Sequence, residues 1–398
     1  MKLLVIDEEF PWPLNTGKRL RTFNLIHALT KYNEVSYLAY GEEKSESFRA
    51  LQERNITCHA VEPPDRRQSG AGFYMRLAAN LGSPLPYIVT SHYTERFEQR
   101  MRELIEQHKY DLVICEWTPY ALYLRRLTTT KSIIVAHNIE SNIWRRYVQT
   151  TANPLKRFYI SLQYDKVRTF EKKCFSWSEG ATAVSTIEAK EIASYGPPYR
   201  VETVENGVDV DYFSPREDAP DPNMVVFTGS MDWRPNQDAV EFFVRDILPL
   251  MQKERPGLKF IAVGRKPPQH IIDLHKRPGV AITGTVDDVR PYIARAGLYV
   301  VPLRVGGGSR LKILEAMSMK KPVLSTTVGA EGLDITDGQN IVLADSASAF
   351  AQTALELLND ADRCNSLAEA GHTLVHEKYR WDILGEKLNR YLKSVVGI

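Results

Sequence analysis

Residues 305 to 317 read VGGGSRLKILEAM, a glycine run that leads into a serine, two cations and a carboxylate. Glycines forfeit packing and cost backbone entropy, so Gly306, Gly307 and Gly308 are expected where the chain turns sharply or something comes close. The preceding LYVVPLR has the composition of a strand, and Ser309 stands where a helix N-cap belongs. A helix starting there offers free N–H groups and the positive end of its dipole, which suits phosphate. Along it, Gly308, Lys312 and Glu315 share a face through their spacing, while Ile313, Leu314 and Met317 turn inward. Arg310 and Lys312 can neutralise a diphosphate, and Glu315, one turn deeper, can accept hydrogen bonds from the hydroxyls of a ribose. A sugar nucleotide carries those groups in that order. The simpler alternative is a surface ion pair on a capped helix, worth about a few tenths of a kcal/mol. It leaves the glycines without a purpose.

Such a loop needs a scaffold. The short apolar runs KLLVID, VSYLAY, ITCHAV, DLVICEW, SIIVAH, ATAVS and VETVEN lie in the first half of the chain, with helically spaced stretches between them, such as Leu20, Phe23, Leu25, Ile26 and Leu29, or Phe97, Met101, Leu104 and Ile105. After ENGVDVDYFSPREDAPDPN, residues 205–223, whose Asn, Gly, Asp and Pro mark a linker, the rhythm resumes with VVFTGS, LKFIAVG, VAITGT, LYVVPL, PVLSTT and IVLAD. Strands alternating with helices predict an α/β protein of two tandem Rossmann-like, doubly wound domains. The expected domains are residues 1–207 and 208–379 facing a central cleft, and residues 380–398 read as a last amphipathic helix. Ligands of such sheets gather outside the carboxyl ends of the strands.

Composition narrows the partners. The chain has 398 residues, 43% hydrophobic and 25% charged, with a net charge of +2, so no global field favours nucleic acid. Cys58, Cys115, Cys174 and Cys364 are far apart and form no C-x-x-C pair, which fits a reducing cytoplasm better than a disulfide framework or a zinc site. MKLLVIDEEF turns acidic too early for a signal peptide. No uncharged apolar run is long enough to span a bilayer. Asp209 and Asp211 have the spacing of a metal-binding pair, but they follow Asn206-Gly207 and read as turn chemistry, so no metal is expected.

With these motifs the sequence resembles the glycosyltransferases of GT-B fold, within the large family-four group of mostly retaining enzymes. FPWPLNTGKRLRTFNLIHAL is similar to that family's opening loop and first helix, and VENGVDVDYFSP to its interdomain segment. VVFTGSMDWRPNQDAVEFF resembles the first strand, loop and helix of its donor domain, and PLRVGGGSRLKILEAMSMKKPVLSTTVGAEGL its donor-binding signature. The resemblance implies a nucleotide-diphosphate sugar as co-substrate, held mainly by the second domain, an acceptor hydroxyl held mainly by the first, no cofactor, and a final helix, 380–398, that packs back on the first domain. It places His137 beside the donor sugar, Gly17 where a backbone approaches the diphosphate, Gly229 and Ser230 in the loop after the first donor-domain strand, and Arg265 and Val286 at the nucleobase. Two positions depart from the pattern. Gly307 stands where the family often has a second glutamate, which leaves backbone amides to recognise the sugar. Ser230, Pro235 and Asn236 occupy the region of an arginine and a lysine, so Arg310 and Lys312 are candidates for the displaced charge, with Arg234 a weaker one.

Other features stay open. Glu116, ending DLVICEW, is either a general base near the acceptor or a strand-end carboxylate. Residues 141–173 carry Arg145, Arg146, Lys156, Arg157, Lys166, Arg168, Lys172 and Lys173 among aromatic residues. That stretch suits either an anionic membrane presenting a lipid-linked acceptor or a solvated basic face. The first strand supplies no G-x-G-x-x-G fingerprint, which argues against a nicotinamide dehydrogenase. A sugar-nucleotide epimerase and a non-catalytic sugar-nucleotide or glycan-binding protein remain alternatives to a transferase acting in polysaccharide, glycolipid or glycoconjugate biosynthesis.

Overall fold

The computed structural model describes residues 1–64, 69–305 and 310–398. Gly306, Gly307, Gly308 and Ser309 lie outside the described residues. The chain divides into two compact units, Met1–Glu205 with Leu384–Ile398, and Asn206–Ile383.

In the first unit, β1 (Lys2–Asp7), β2 (Glu34–Tyr40), β3 (Ile56–Val61), β4 (Leu112–Cys115), β5 (Lys131–Ala136), β6 (Gly180–Ala183) and β7 (Glu202–Thr203) form one sheet in the order β3-β2-β1-β4-β5-β6-β7. Every pairing in it is parallel. The strands begin where the apolar runs predict them, because a parallel strand covered on both faces must be almost wholly apolar. Leu3, Leu4, Val5 and Ile6 are fully buried, as are Leu112, Val113, Ile114 and Cys115. The strand order reverses between β1 and β4, which opens the switch point at which ligands of such sheets collect.

The second unit repeats the plan. Its strands β8 (Asp221–Thr228), β9 (Lys259–Val263), β10 (Val280–Ile282), β11 (Ala296–Val301), β12 (Val323–Ser325) and β13 (Val342–Leu343) are all parallel, in the order β10-β9-β8-β11-β12-β13. Here the order reverses between β8 and β11. The predicted linker segment is ordered against this unit: the Val208 N–H donates to Tyr379 O at 2.8 Å, and the Asp209 carboxylate accepts from the Asp211 and Tyr212 N–H groups at 3.2 and 2.9 Å. That is the turn chemistry expected of Asp209. The final helix spans Trp381–Val396. From Leu384 on it belongs to the first unit, where the Tyr391 hydroxyl accepts from the Ala181 N–H at 2.9 Å.

The loops after β8 and β9 touch through glycine. A Cβ on Gly264 would stand 1.8 Å from the Gly229 carbonyl oxygen, a backbone atom that cannot swing away. Gly264→Ala is therefore expected to lower stability by at least ~2 kcal/mol, read as a drop in the urea midpoint, with both loops displaced. A midpoint equal to that of wild type would contradict this packing.

Candidate active site

The second unit builds its site where β8 and β11 part. The helix Leu311–Ser318 buries Ile313, Leu314, Ala316 and Met317 in the domain core, and the same spacing leaves Lys312 and Glu315 on its polar face. Lys312 Nζ lies 4.2 Å from the centroid of the Phe227 ring on β8 and donates to Asn236 Oδ1 at 2.7 Å. Asn236 is held in turn by donating through Nδ2 to Ser230 O at 2.8 Å. Gly229 makes this possible, since a Cβ there would fall 2.7 Å from Lys312 Nζ. Among the described residues Lys312 forms no ion pair. Burial lowers its pKa to about 7, with Glu315 opposing and Arg310 adding to the shift. Burial likewise raises Glu315 to about 7, against the pull of Lys312. A cation and a carboxylate on one helix face are thus both held close to neutrality.

The other expected donor-side residues are placed differently. The helix begins at Leu311 with Arg310 at the N-cap position, so Arg310 stands where the sequence predicts Ser309. The Arg310 side chain, only 3% exposed, points to Glu331 with an N···O distance of 3.4 Å. Its charge is engaged inside the domain, unlike that of Lys312. Arg265 is exposed and donates through Nε to Ser230 Oγ at 2.8 Å, and that hydroxyl donates to Asp232 Oδ1 at 2.6 Å. Val286 packs against the domain core.

In the first unit a denser polar cluster sits at the carboxyl ends of β1, β4 and β5. Glu116 directly follows β4 and is 1% exposed; His137 directly follows β5 and is 9% exposed. His137 Nε2 meets Glu116 Oε2 at 3.0 Å, and Thr22 Oγ1 donates to the same oxygen at 3.0 Å. Glu116 Oε1 is buried without a hydrogen-bond partner. Burial alone would push the Glu116 carboxyl up, but the hydrogen bond from His137, with the nearby Arg21 charge and Thr22, holds it below the usual carboxylate range. Burial also pulls His137 down, more than Glu116 raises it. The pair at neutral pH is therefore a carboxylate accepting from a neutral imidazole. Glu116 is buried behind His137, which fits an orienting carboxylate better than a base open to an acceptor. Arg21, fully buried and lowered by burial to about 10, remains charged and donates to Val204 O and Glu205 O at 2.7 and 2.6 Å.

Sequence reasoning missed the rest of this cluster. Asp7, the last residue of β1, accepts from Tyr37 Oη at 2.7 Å and from Lys18 Nζ at 2.6 Å, and burial raises it to about 7. Lys18 also donates to Glu8 Oε1 at 2.8 Å. Glu140, raised by burial to about 7, accepts from Trp117 Nε1 at 2.9 Å. Its own N–H donates to Glu171 Oε1 at 2.7 Å. One signal was available: a carboxylate closing an otherwise apolar strand, as in KLLVID, must lie at the sheet's carboxyl edge. Gly17, the first residue of the helix Gly17–Leu29, stands at the same edge, and a Cβ added to it would meet nothing within 4 Å.

Comparison with known proteins fits this architecture. Residues 45–212 match the profile described as Glycosyltransferase Family 4, and residues 222–360 the profile described as Glycosyl transferases group 1. An uncharacterized 44.6 kDa protein in the cps region of Klebsiella pneumoniae is 23% identical over 95% of this chain and 96% of its own length. The GDP-mannose-dependent alpha-(1-6)-phosphatidylinositol monomannoside mannosyltransferase of Mycobacterium tuberculosis is 24% identical over 74% of this chain and 79% of its own. Among solved structures, sucrose-phosphate synthase from Thermosynechococcus elongatus superposes with a TM-score of 0.70 at 15% identity, covering 100% of this chain and 99% of that one. HepE of Anabaena, in complex with UDP and glucose, superposes with a TM-score of 0.66 at 13% identity, covering 99% and 100%. The two glycosyltransferase profiles, one on each Rossmann-like domain, make the protein a glycosyltransferase of GT-B type. The chain belongs to the group 1 glycosyltransferases.

Two measurements test the electrostatics. Lys312 has an ordinary value of 10.5 and a folded value of about 7, so between them the folded protein binds fewer protons than the unfolded chain. Its contribution to stability therefore grows as pH rises through that window and is lost as pH falls through 7. Glu315, raised from 4.5 to about 7, contributes stability that is present below 4.5 and lost as pH rises through 7. Lys312→Met should flatten the rising limb of the urea midpoint against pH, and an unchanged limb would refute the assigned desolvation. For the buried dyad, Glu116→Gln removes the charge that opposes desolvation, so an NMR titration of His137 should move to lower pH. A move to higher pH, or none, would separate the two residues.

Proposed function

We propose that the protein transfers a sugar from a nucleotide-diphosphate sugar to an acceptor hydroxyl, with retention and without a metal. The observation that carries this reading is Lys312: a desolvated ammonium with no ion-pair partner among the described residues, aimed at the loop after β8 by Asn236 and Phe227. A diphosphate supplies the negative charge that this position lacks. Glu315, on the same helix face, accepts from the ribose hydroxyls. Gly229, Ser230, Arg265 and Val286 border the nucleotide. Arg310 acts through the local field rather than by direct contact, because Glu331 already engages it. The mycobacterial relative uses GDP-mannose by its name and HepE was solved with UDP, which supports a nucleoside diphosphate and leaves uracil and guanine as the bases to compare.

The first unit serves the sugar and the acceptor. His137, kept neutral by burial, offers a polar contact to the donor sugar without placing a cation beside a developing oxocarbenium ion. The ionised Glu116 behind it fixes the ring and favours positive charge nearby. Gly17 leaves the start of its helix without a side chain, and a Cβ added there would meet nothing within 4 Å. In a retaining transfer the diphosphate leaves from the face that the acceptor hydroxyl approaches, and no covalent enzyme bond is needed. Fixed donors stabilise the departing charge, and removal of one typically lowers the rate by about two to three orders of magnitude. The polysaccharide, glycolipid or glycoconjugate setting is supported by the mannoside acceptor in the mycobacterial relative's name.

A thermal-shift screen across UDP- and GDP-sugars should find a donor that stabilises the protein by about 2.7 kcal/mol at 100 times its dissociation constant. Bound diphosphate raises the Lys312 pKa again, so calorimetry of UDP or GDP binding at pH 8 in buffers of different ionisation enthalpy should show proton uptake. Lys312→Met should abolish that uptake and weaken binding at least tenfold. Wild-type binding by Lys312→Met, or no stabilising nucleotide sugar at all, would overturn the assignment.

A further inference from the structure

The helix Ala71–Leu81 in the first unit is built inside out. Its sequence, AGFYMRLAANL, is apolar apart from Arg76 and Asn80, yet its one buried residue is Asn80. Asn80 anchors the helix: Nδ2 donates to Leu85 O and Thr90 Oγ1, both at 3.1 Å, and Oδ1 accepts from Gln163 Nε2 at 2.9 Å. Lys166 Nζ donates to Asn80 O at 2.6 Å, tying the helix to its long neighbour, Pro154–Cys174. Phe73 and Leu77 are half-buried, while Tyr74, Met75 and Leu81 stay outside, against the usual rule for an apolar helix.

That neighbour presents the same chemistry. It buries Ile160, Gln163, Val167, Phe170 and Cys174, and the helical period puts Phe158 on the opposite face and Leu155 on the flank beside it, where they are 72% and 81% exposed. Six of the twelve exposed large apolar side chains among the described residues lie on these helices and the adjoining Glu140–Thr150: Tyr74, Met75, Leu81, Tyr147, Leu155 and Phe158. Arg145, Arg146, Lys156 and Arg157 are exposed among them, and the stretches 69–82 and 141–164 contain no acidic residue. An outward apolar rim ringed by cations with no compensating carboxylate has the chemistry of a surface that lies in the headgroup region of an anionic bilayer.

We propose that the helices Ala71–Leu81, Glu140–Thr150 and the amino-terminal part of Pro154–Cys174 form a docking surface for an anionic lipid membrane, with Tyr74, Met75, Leu155 and Phe158 entering the bilayer and the four cations resting on its headgroups. No described helix is long and apolar enough to cross a membrane, so contact through this surface is in-plane. The proposal does not depend on the donor assignment.

Flotation of the full chain with vesicles tests it. The protein should bind vesicles of phosphatidylcholine and phosphatidylglycerol in equal parts, bind phosphatidylcholine alone weakly, and be released by salt. Arg145→Ser with Arg146→Ser should lower partitioning about fivefold for each cation removed, and Leu155→Ser with Phe158→Ser about tenfold or more. Both variants alter exposed side chains and should unfold at the wild-type temperature. No binding, equal binding to the two kinds of vesicle, or binding insensitive to both double variants would overturn the proposal. Concentration-dependent self-association without lipid, lost in Leu155→Ser with Phe158→Ser, would reassign the face to a second copy of the chain.

Discussion

A parallel strand covered on both faces has no room for charge along its length, so charged side chains collect where strands end and helices begin. Both units obey this constraint. In the first, Asp7, Glu116 and His137 sit at or directly after the last residues of β1, β4 and β5. In the second, Gly229 and Lys312 meet beside the end of β8. The same constraint withdraws these groups from water, because the helices that cover the sheet also cover its edge. Desolvation is accordingly the largest influence on Asp7, Glu140, His137, Lys312 and Glu315.

The two edges resolve the penalty in opposite ways. In the first unit it is met internally: Lys18 bridges Asp7 and Glu8, and Glu171 takes the N–H of Glu140. In the second unit the amide of Asn236 orients Lys312 but brings no negative charge to it. A site whose lysine has no ion-pair partner among the described residues suits an anion from outside. This asymmetry is the ground on which the nucleotide is proposed for one unit and the neutral sugars for the other.

The helix Ala71–Leu81 follows a different logic. Its polar Asn80 is inside while Tyr74, Met75 and Leu81 are outside, an inversion that no core explains and that a low-dielectric surface would. The basic character of residues 141–173 is visible in one dimension. The inverted helix is not, because an apolar helical stretch reads by default as one that packs inward.

Periodicity alone determined that the chain makes parallel sheets: among the described residues each of the thirteen strands overlaps one of the runs from KLLVID to IVLAD, although β8 starts at Asp221 inside the predicted linker and the short β7, Glu202–Thr203, is only half-buried. It also put Lys312 and Glu315 on one helix face, since 3.6 residues per turn is a local property. Tertiary structure decided which partner each charge finds. Arg310 and Lys312 are two residues apart and chemically alike, yet one is held by Glu331 and the other by an amide that carries no charge. Likewise Glu116 orients His137 from 21 residues away, and Thr22 reaches that carboxylate across 94 residues. Local spacing sets the direction in which a side chain leaves its helix or strand; the order in which the strands assemble sets what it meets there.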